Sequence, residues 1–169
     1  MATITMRNRN NGGGVLDHPL MANNITRDDL NILIEYLQKE EPKLTQGSNV
    51  IAFEEEWSRW LGVKHSVYVN SGSSANLITL AVLRQIYGEG EIILSPLTWV
   101  SDVASCLQNN FSPVFGDIDR RTLSLNTCEA ISKISKDTKA VFLTHAQGFS
   151  GLTHKLLKEL SGKNIPLIE

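Results

Sequence analysis

The feature that most constrains this chain is the alternation, from residue 66 onward, of short apolar runs with amphipathic stretches. Runs of strand character fall at 66–70 (SVYVN), 91–95 (EIILS), 113–116, 139–144 (KAVFLT) and 165–168. Between them the apolar spacing predicts helices over 73–87, 99–109, 127–135 and 151–162. Parallel neighbours cannot be joined by a tight hairpin; they need a long crossover, and a helix supplies it. The pattern therefore predicts an α/β fold, a mostly parallel sheet with helices on both faces. The strand runs are apolar on both sides, as a sheet covered on both faces requires.

Upstream the pattern is different. Residues 1–16 read as a flexible leader, with Gly12-Gly13-Gly14 and no apolar period. Residues 17–62 read as a helical segment. Asp28 and Asp29 suit a helix start, and Leu30, Leu33, Ile34 and Leu37 recur at helical spacing, predicting a helix over 27–40 that Pro42 ends. After the loop Leu44-Thr45-Gln46-Gly47, a second helix is predicted over 48–61. Val50, Phe53, Trp57, Trp60 and Leu61 form its apolar stripe, and Gly62 is its stop. Residues 63–169 then form the α/β part.

Composition narrows the function. With 169 residues, 41% of them apolar, the chain can bury a core. A net charge of −2 argues against a nucleic-acid binder, which would show a basic stripe. No apolar run approaches the ~20 residues of a membrane span. The polar N-terminus lacks the apolar stretch of a secretory signal. Cys106 and Cys128 have no metal-type spacing and read as reduced core thiols, so the expected location is the cytoplasm and no metal site is expected.

The most informative stretch is Asn70-Ser71-Gly72-Ser73-Ser74-Ala75-Asn76-Leu77, a small-residue turn between a strand run and a helix. Free N–H groups and the dipole at such a helix start attract an anion; Gly72 allows close approach, and Ser73 and Ser74 add hydroxyls. The same residues are what plain helix capping needs, so the turn alone leaves both readings open. The glycine spacing of a dinucleotide fingerprint and the Gly-Lys-Ser/Thr of a P-loop are missing. A second strand-to-helix turn, Ser95-Pro96-Leu97-Thr98-Trp99, places a tryptophan at the same sheet edge. Its indole suits either a flat aromatic ligand or a helix–sheet gap. Together the two turns suggest a flat aromatic molecule bearing a phosphate. Asp117 and Asp119 leave a carboxylate pair or a magnesium site open, and Asp102 reads as a helix-surface or polar-edge residue.

In these motifs and their order the chain resembles the DegT/DnrJ/EryC1/StrS family of sugar-nucleotide aminotransferases. Leu44-Thr45-Gln46-Gly47 is similar to the family's LTxGP loop, with Ser48 in place of proline. The stretches at 53–57 and 60–63 resemble its FE..fa.ylG helix. SGSSANL resembles its SGTAAL phosphate turn, and 96–100 its P..TwvA segment. The stretches at 114–119, 138–148 and 165–169 resemble pvfvDiD, TKAi..vH..G and ip.iED. The resemblance covers about 17–169.

The resemblance implies an aspartate-aminotransferase-type large domain, truncated, that binds pyridoxal 5′-phosphate (PLP) or its pyridoxamine form. It implies that Gly72, Ser73 and Ser74 hold the cofactor phosphate, that Trp99 stacks on the pyridine ring, and that Thr45, Gln46 and Gly47 lie near substrate. His145 aligns with a family histidine of no assigned role, and the resemblance implies that Asp117 and Asp119 sit in a structural turn after a strand. The pyridinium aspartate and the Schiff-base lysine are expected beyond Glu169, so no catalytic residue is expected within the chain, which reads as an N-terminal portion. A branch of the family carries histidine in place of that lysine and dehydrates keto-deoxysugars at C3, and SGSSANL occurs in that branch as well as in aminotransferases. The implied partners are a sugar nucleotide, an amino donor and a second copy in a homodimer.

Overall fold

The computed structural model describes residues 24–169, so the leader lies outside the described residues. The chain divides into two units, up to Glu56 and from Trp57 to Glu169. In the first, α1 (Arg27–Leu37) starts with a capping box: Thr26 Oγ1 accepts from the Asp29 N–H, and the Asp29 carboxylate accepts from the Thr26 N–H at 2.7 Å. This holds the Asp29 carboxyl below its usual range, first through the Thr26 hydroxyl and then through the Thr26 N–H. α1 stops at Leu37, before the expected position 40. α2 (Ser48–Leu61) has the expected bounds and starts where the Gly47 carbonyl accepts from the N–H groups of Val50 and Ile51. Its apolar stripe is not buried: Phe53, Trp57, Trp60 and Leu61 are all exposed, and only Ser58 is buried.

The second unit contains α3 (Gly72–Tyr87), β1 (Gly90–Leu94), α4 (Val100–Gln108), β2 (Phe111–Phe115), α5 (Thr127–Ser132), β3 (Thr138–Phe142), α6 (His154–Gly162) and β4 (Leu167–Ile168). The sheet order is β2-β1-β3-β4, and every pairing is parallel. One expectation fails. Residues 66–70 join no sheet among the described residues, because an extended run becomes a strand only when a neighbour accepts its ladder.

Strand alternation divides the core between two faces. Ile92, Leu94, Ala140 and Phe142 pack with Leu80 and Leu83 of α3 and Cys106 of α4. Ile93, Val141 and Leu143 pack on the other face with Ala130 of α5 and Leu156 and Leu160 of α6. Each fully buried leucine or isoleucine contributes about 1.5–3 kcal/mol by leaving water. Cys106 lies in this core, whereas Cys128 is exposed, contrary to expectation; both thiols are free.

Candidate functional site

The strand order defines where a ligand belongs. From β1 the chain moves outward to β2, then crosses back to β3 and on to β4, so the direction reverses between β1 and β3. Open α/β sheets bind ligands in the crevice beyond the carboxyl ends of strands at such a reversal. Here those ends carry Ser95 to Trp99 after β1 and Leu143 to His145 after β3.

The turn into α3 is built by its own side chains. Ser71 is the N-cap, and its hydroxyl oxygen accepts from the Ser74 N–H at 3.2 Å. The Ser74 hydroxyl donates to Asn70 Oδ1 at 2.7 Å, so its proton is directed back into the turn. The N–H groups of Gly72 and Ser73 have no protein acceptor among the described residues, nor has the Ser73 hydroxyl. They stand at the positive end of a 16-residue helix. A Cβ added at Gly72 would meet nothing within 4 Å, so the space over this backbone is open. A groove of about 240 Å³ runs from Ser73, Ser74 and Leu77 of α3 to Ser101, Ser105 and Gln108 of α4.

Trp99 is the N-cap of α4, not its first helical residue, and its side chain makes no capping bond. It is 71% exposed. An indole presented this openly fills no helix–sheet gap among the described residues. Thr45, Gln46 and Gly47 belong to the other unit, in the loop that leads into α2; Thr45 and Gln46 are exposed.

The largest departure from expectation is Asp102. It is 5% exposed, not a surface residue. Its Oδ1 accepts from Asn76 Nδ2 at 2.6 Å, and its Oδ2 accepts from the Thr98 hydroxyl, with the Thr144 oxygen 3.3 Å away. Sequence reasoning missed it, although the buried Ser105 and Cys106, at i+3 and i+4, mark its side of α4 as the inward one.

His145, just beyond β3, accepts from the Gly151 N–H at Nδ1 (3.2 Å), while Nε2 faces Glu169 Oε1 at 2.8 Å. The pair joins the ends of β3 and β4. Asp117 and Asp119 are structural, as expected. Asp119 Oδ1 accepts from the Arg121 N–H, and the two aspartates flank the antiparallel bridge Ile118–Leu125. Among the described residues no cluster of metal-ligating side chains occurs, and no helix is long and apolar enough to cross a membrane.

Comparison with known proteins bears on the family and the fold. The model of the DegT/DnrJ/EryC1/StrS aminotransferase family matches residues 23–169. Spore coat polysaccharide biosynthesis protein SpsC of Bacillus subtilis (strain 168) is 35% identical over 127 residues, covering 75% of this chain and 32% of that protein. GDP-4-keto-6-deoxy-D-mannose 3-dehydratase of Yersinia pseudotuberculosis is 27% identical over 160 residues, covering 92% and 40%. Among solved structures, the E. coli GDP-4-keto-6-deoxy-D-mannose-3-dehydratase with bound hydrated PLP superposes with a TM-score of 0.80 at 25% identity, covering 89% of this chain and 40% of that one. The Helicobacter pylori aminotransferase PseC, involved in pseudoaminic acid biosynthesis, gives a TM-score of 0.73 at 25% identity, covering 84% and 38%. The chain thus spans well under half the length of these relatives.

Proposed function

Because the chain belongs to the DegT/DnrJ/EryC1/StrS aminotransferase family, we propose that it forms the phosphate-binding part of a PLP or pyridoxamine phosphate site in an aminotransferase acting on keto-sugar nucleotides. The observation that carries this reading is the pair of unpartnered N–H groups at Gly72 and Ser73, under open space, in the first turn of α3. Such a turn fits a phosphate. A neutral or cationic ligand would gain nothing from the helix dipole.

In this reading the N–H groups of Gly72 and Ser73 and the Ser73 hydroxyl donate to the phosphate. Ser74 supports the turn through Asn70 while its oxygen and N–H keep the loop closed. Trp99 presents its indole face to the pyridine ring and keeps water from that side. The bound cofactor supplies an electron sink for chemistry at the carbon that carries the amine. Thr45, Gln46 and Gly47 serve the sugar nucleotide, and a second copy of the protein completes the site. We place this chemistry in the cytoplasm, in polysaccharide or deoxyaminosugar synthesis, with 63–169 as the cofactor part and 17–62 as a helical segment.

A second reading, PLP-dependent 3-dehydration of a 4-keto-6-deoxy sugar nucleotide, is supported by the 3-dehydratase likeness, which has the higher TM-score of the two structures compared. Incubating the full protein with a 4-keto-6-deoxy sugar nucleotide and glutamate separates the two. A 4-amino sugar product supports the aminotransferase, and a 3-deoxy product supports the dehydratase.

The cofactor site itself is tested by titrating the chain with PLP while following tryptophan fluorescence. Quenching that disappears in Trp99→Phe and weakens in Ser73→Ala supports the reading. Quenching unaffected by either substitution contradicts it.

A further inference from the structure

We infer that Asp102 is a positioning residue: its buried carboxylate ties the helix of the phosphate turn, the Trp99 turn and the end of β3 into one unit, and so sets the Trp99 indole relative to the N-terminus of α3. The identity of the ligand rests on the reading above; the tie itself does not.

Bonds from three places in the fold converge on this residue, beside the neighbouring Ser101 hydroxyl, which donates to Oδ1 at 3.5 Å. Asn76, in the second turn of α3, donates to Oδ1 at 2.6 Å, and the same amide reaches the Ser101 hydroxyl at 3.1 Å. Thr98, immediately before Trp99, donates to Oδ2. Thr144, at the end of β3, donates to the Thr98 hydroxyl, whose own proton goes to Oδ2, and its oxygen lies 3.3 Å from that carboxylate oxygen. The Asp102 N–H donates to the carbonyl of Trp99 at 3.0 Å. Trp99 is thus held on both sides, by the hydroxyl of its predecessor and by its own carbonyl, while its side chain stays open.

Every side-chain partner of the carboxylate is a donor. An acceptor with two oxygens and no proton to place satisfies all of them, and no buried side-chain polar atom among the described residues is left without a partner. Packing alone does not call for this residue type. A buried polar side chain costs stability unless it is fully paired, and an apolar residue would fill the volume without that demand. The three anchors are separated by up to 68 residues in sequence, between Asn76 and Thr144, and they converge where strand order reverses.

Asp102→Asn keeps the size and changes one oxygen to a donor. Asn76 needs the remaining oxygen, so the new N–H₂ faces Thr98 and Thr144 and forces the Thr98 hydroxyl to turn. Thr98→Val removes the same link from the other side. The chain carries three tryptophans, Trp57, Trp60 and Trp99, so 5-fluorotryptophan labelling gives one ¹⁹F signal for each, with Trp99→Phe assigning the third.

In the unliganded protein, Asp102→Asn and Thr98→Val should each shift or broaden the Trp99 signal and leave those of Trp57 and Trp60 unchanged. PLP affinity, read from quenching, should fall about tenfold in each, and by little more in the double variant, because both break one network. A Trp99 signal identical to wild type in both variants overturns the proposal. So does a change spread equally over all three signals, which marks a general structural role. If the wild-type chain binds no PLP, the cofactor reading fails while the ¹⁹F result still decides the role of Asp102.

Discussion

The hydroxyls of Thr98 and Thr144 share a hydrogen bond across the boundary between β1 and β3, where the order of the sheet reverses. One follows β1 and the other follows β3, so this contact closes the floor of the crevice in which an open α/β sheet holds its ligand. Asp102 lies against both hydroxyls, and α3 reaches the same carboxylate through Asn76. The two turns that sequence marks separately are parts of one bonded floor.

That floor extends to Ser124, whose hydroxyl donates to the carbonyl of Thr144 at 2.6 Å. A Cβ at Gly151 would lie 2.0 Å from Ser124 Oγ and 2.4 Å from its Cβ. Gly151→Ala should therefore displace Ser124 and destabilise the fold by about 1–3 kcal/mol. Urea unfolding measures this, and Ser124→Gly in the same chain should recover part of the loss. A midpoint unchanged by Gly151→Ala contradicts the packing described.

The two thiols should differ sharply in reactivity. Burial, with the negative Asp102 adding to it, pushes the Cys106 thiol up from 9.0 to about 11, whereas Cys128 is exposed. A thiol reagent at neutral pH should label Cys128 promptly and Cys106 only on unfolding.

The same shift predicts a pH dependence. Between about 9 and about 11 the unfolded chain has released the Cys106 proton and the native chain keeps it. The unfolded state then binds fewer protons, so stability falls as pH rises through that window. Urea midpoints measured from pH 8 to 11 should drop more steeply in wild type than in Cys106→Ala. Parallel curves contradict the burial of this thiol.

His145 should be a single tautomer. The Gly151 N–H donates to Nδ1, so in the neutral ring the proton is on Nε2, facing Glu169. Nitrogen-15 chemical shifts of the labelled imidazole report this directly. Glu169→Gln should leave the tautomer unchanged, because the Gly151 contact sets it.

The outer face of α3 carries Ile78, Val82 and Ile86, 48%, 51% and 64% exposed, at i, i+4 and i+8. A stripe of this kind promotes self-association. Sedimentation of the 169-residue chain should show association that grows with concentration, and Val82→Lys should reduce it. A monomer at every concentration contradicts this.

Much of the fold is legible in sequence because its signals are local. The bounds of α2 follow from its apolar spacing and Gly62, and β1 and β3 follow from EIILS and KAVFLT. Residues 66–70 show why this has a limit. Valine-tyrosine-valine alternation specifies an extended backbone, but pairing depends on a neighbour that no local pattern names. The α2 stripe is legible in the same way, while what covers it is not. The turn into α3 and Trp99 stand out because their signals, small polar residues before a helix and a tryptophan after a strand, are local. Asp102 could not, because its role depends on Asn76, Thr98 and Thr144, which only the folded sheet brings together.

In the proposed function, the first turn of α3 holds a phosphate beside the Trp99 indole. The most direct measurement compares PLP with pyridoxal, its analogue without phosphate, by quenching of tryptophan fluorescence in the same chain. The account predicts that PLP binds at least about tenfold more tightly, since charge-assisted hydrogen bonds from two or three donors are lost without the phosphate. It also predicts that inorganic phosphate competes, and that Gly72→Pro, which removes one donor, narrows the difference. Equal affinity for the two compounds, with no competition by phosphate, would contradict it.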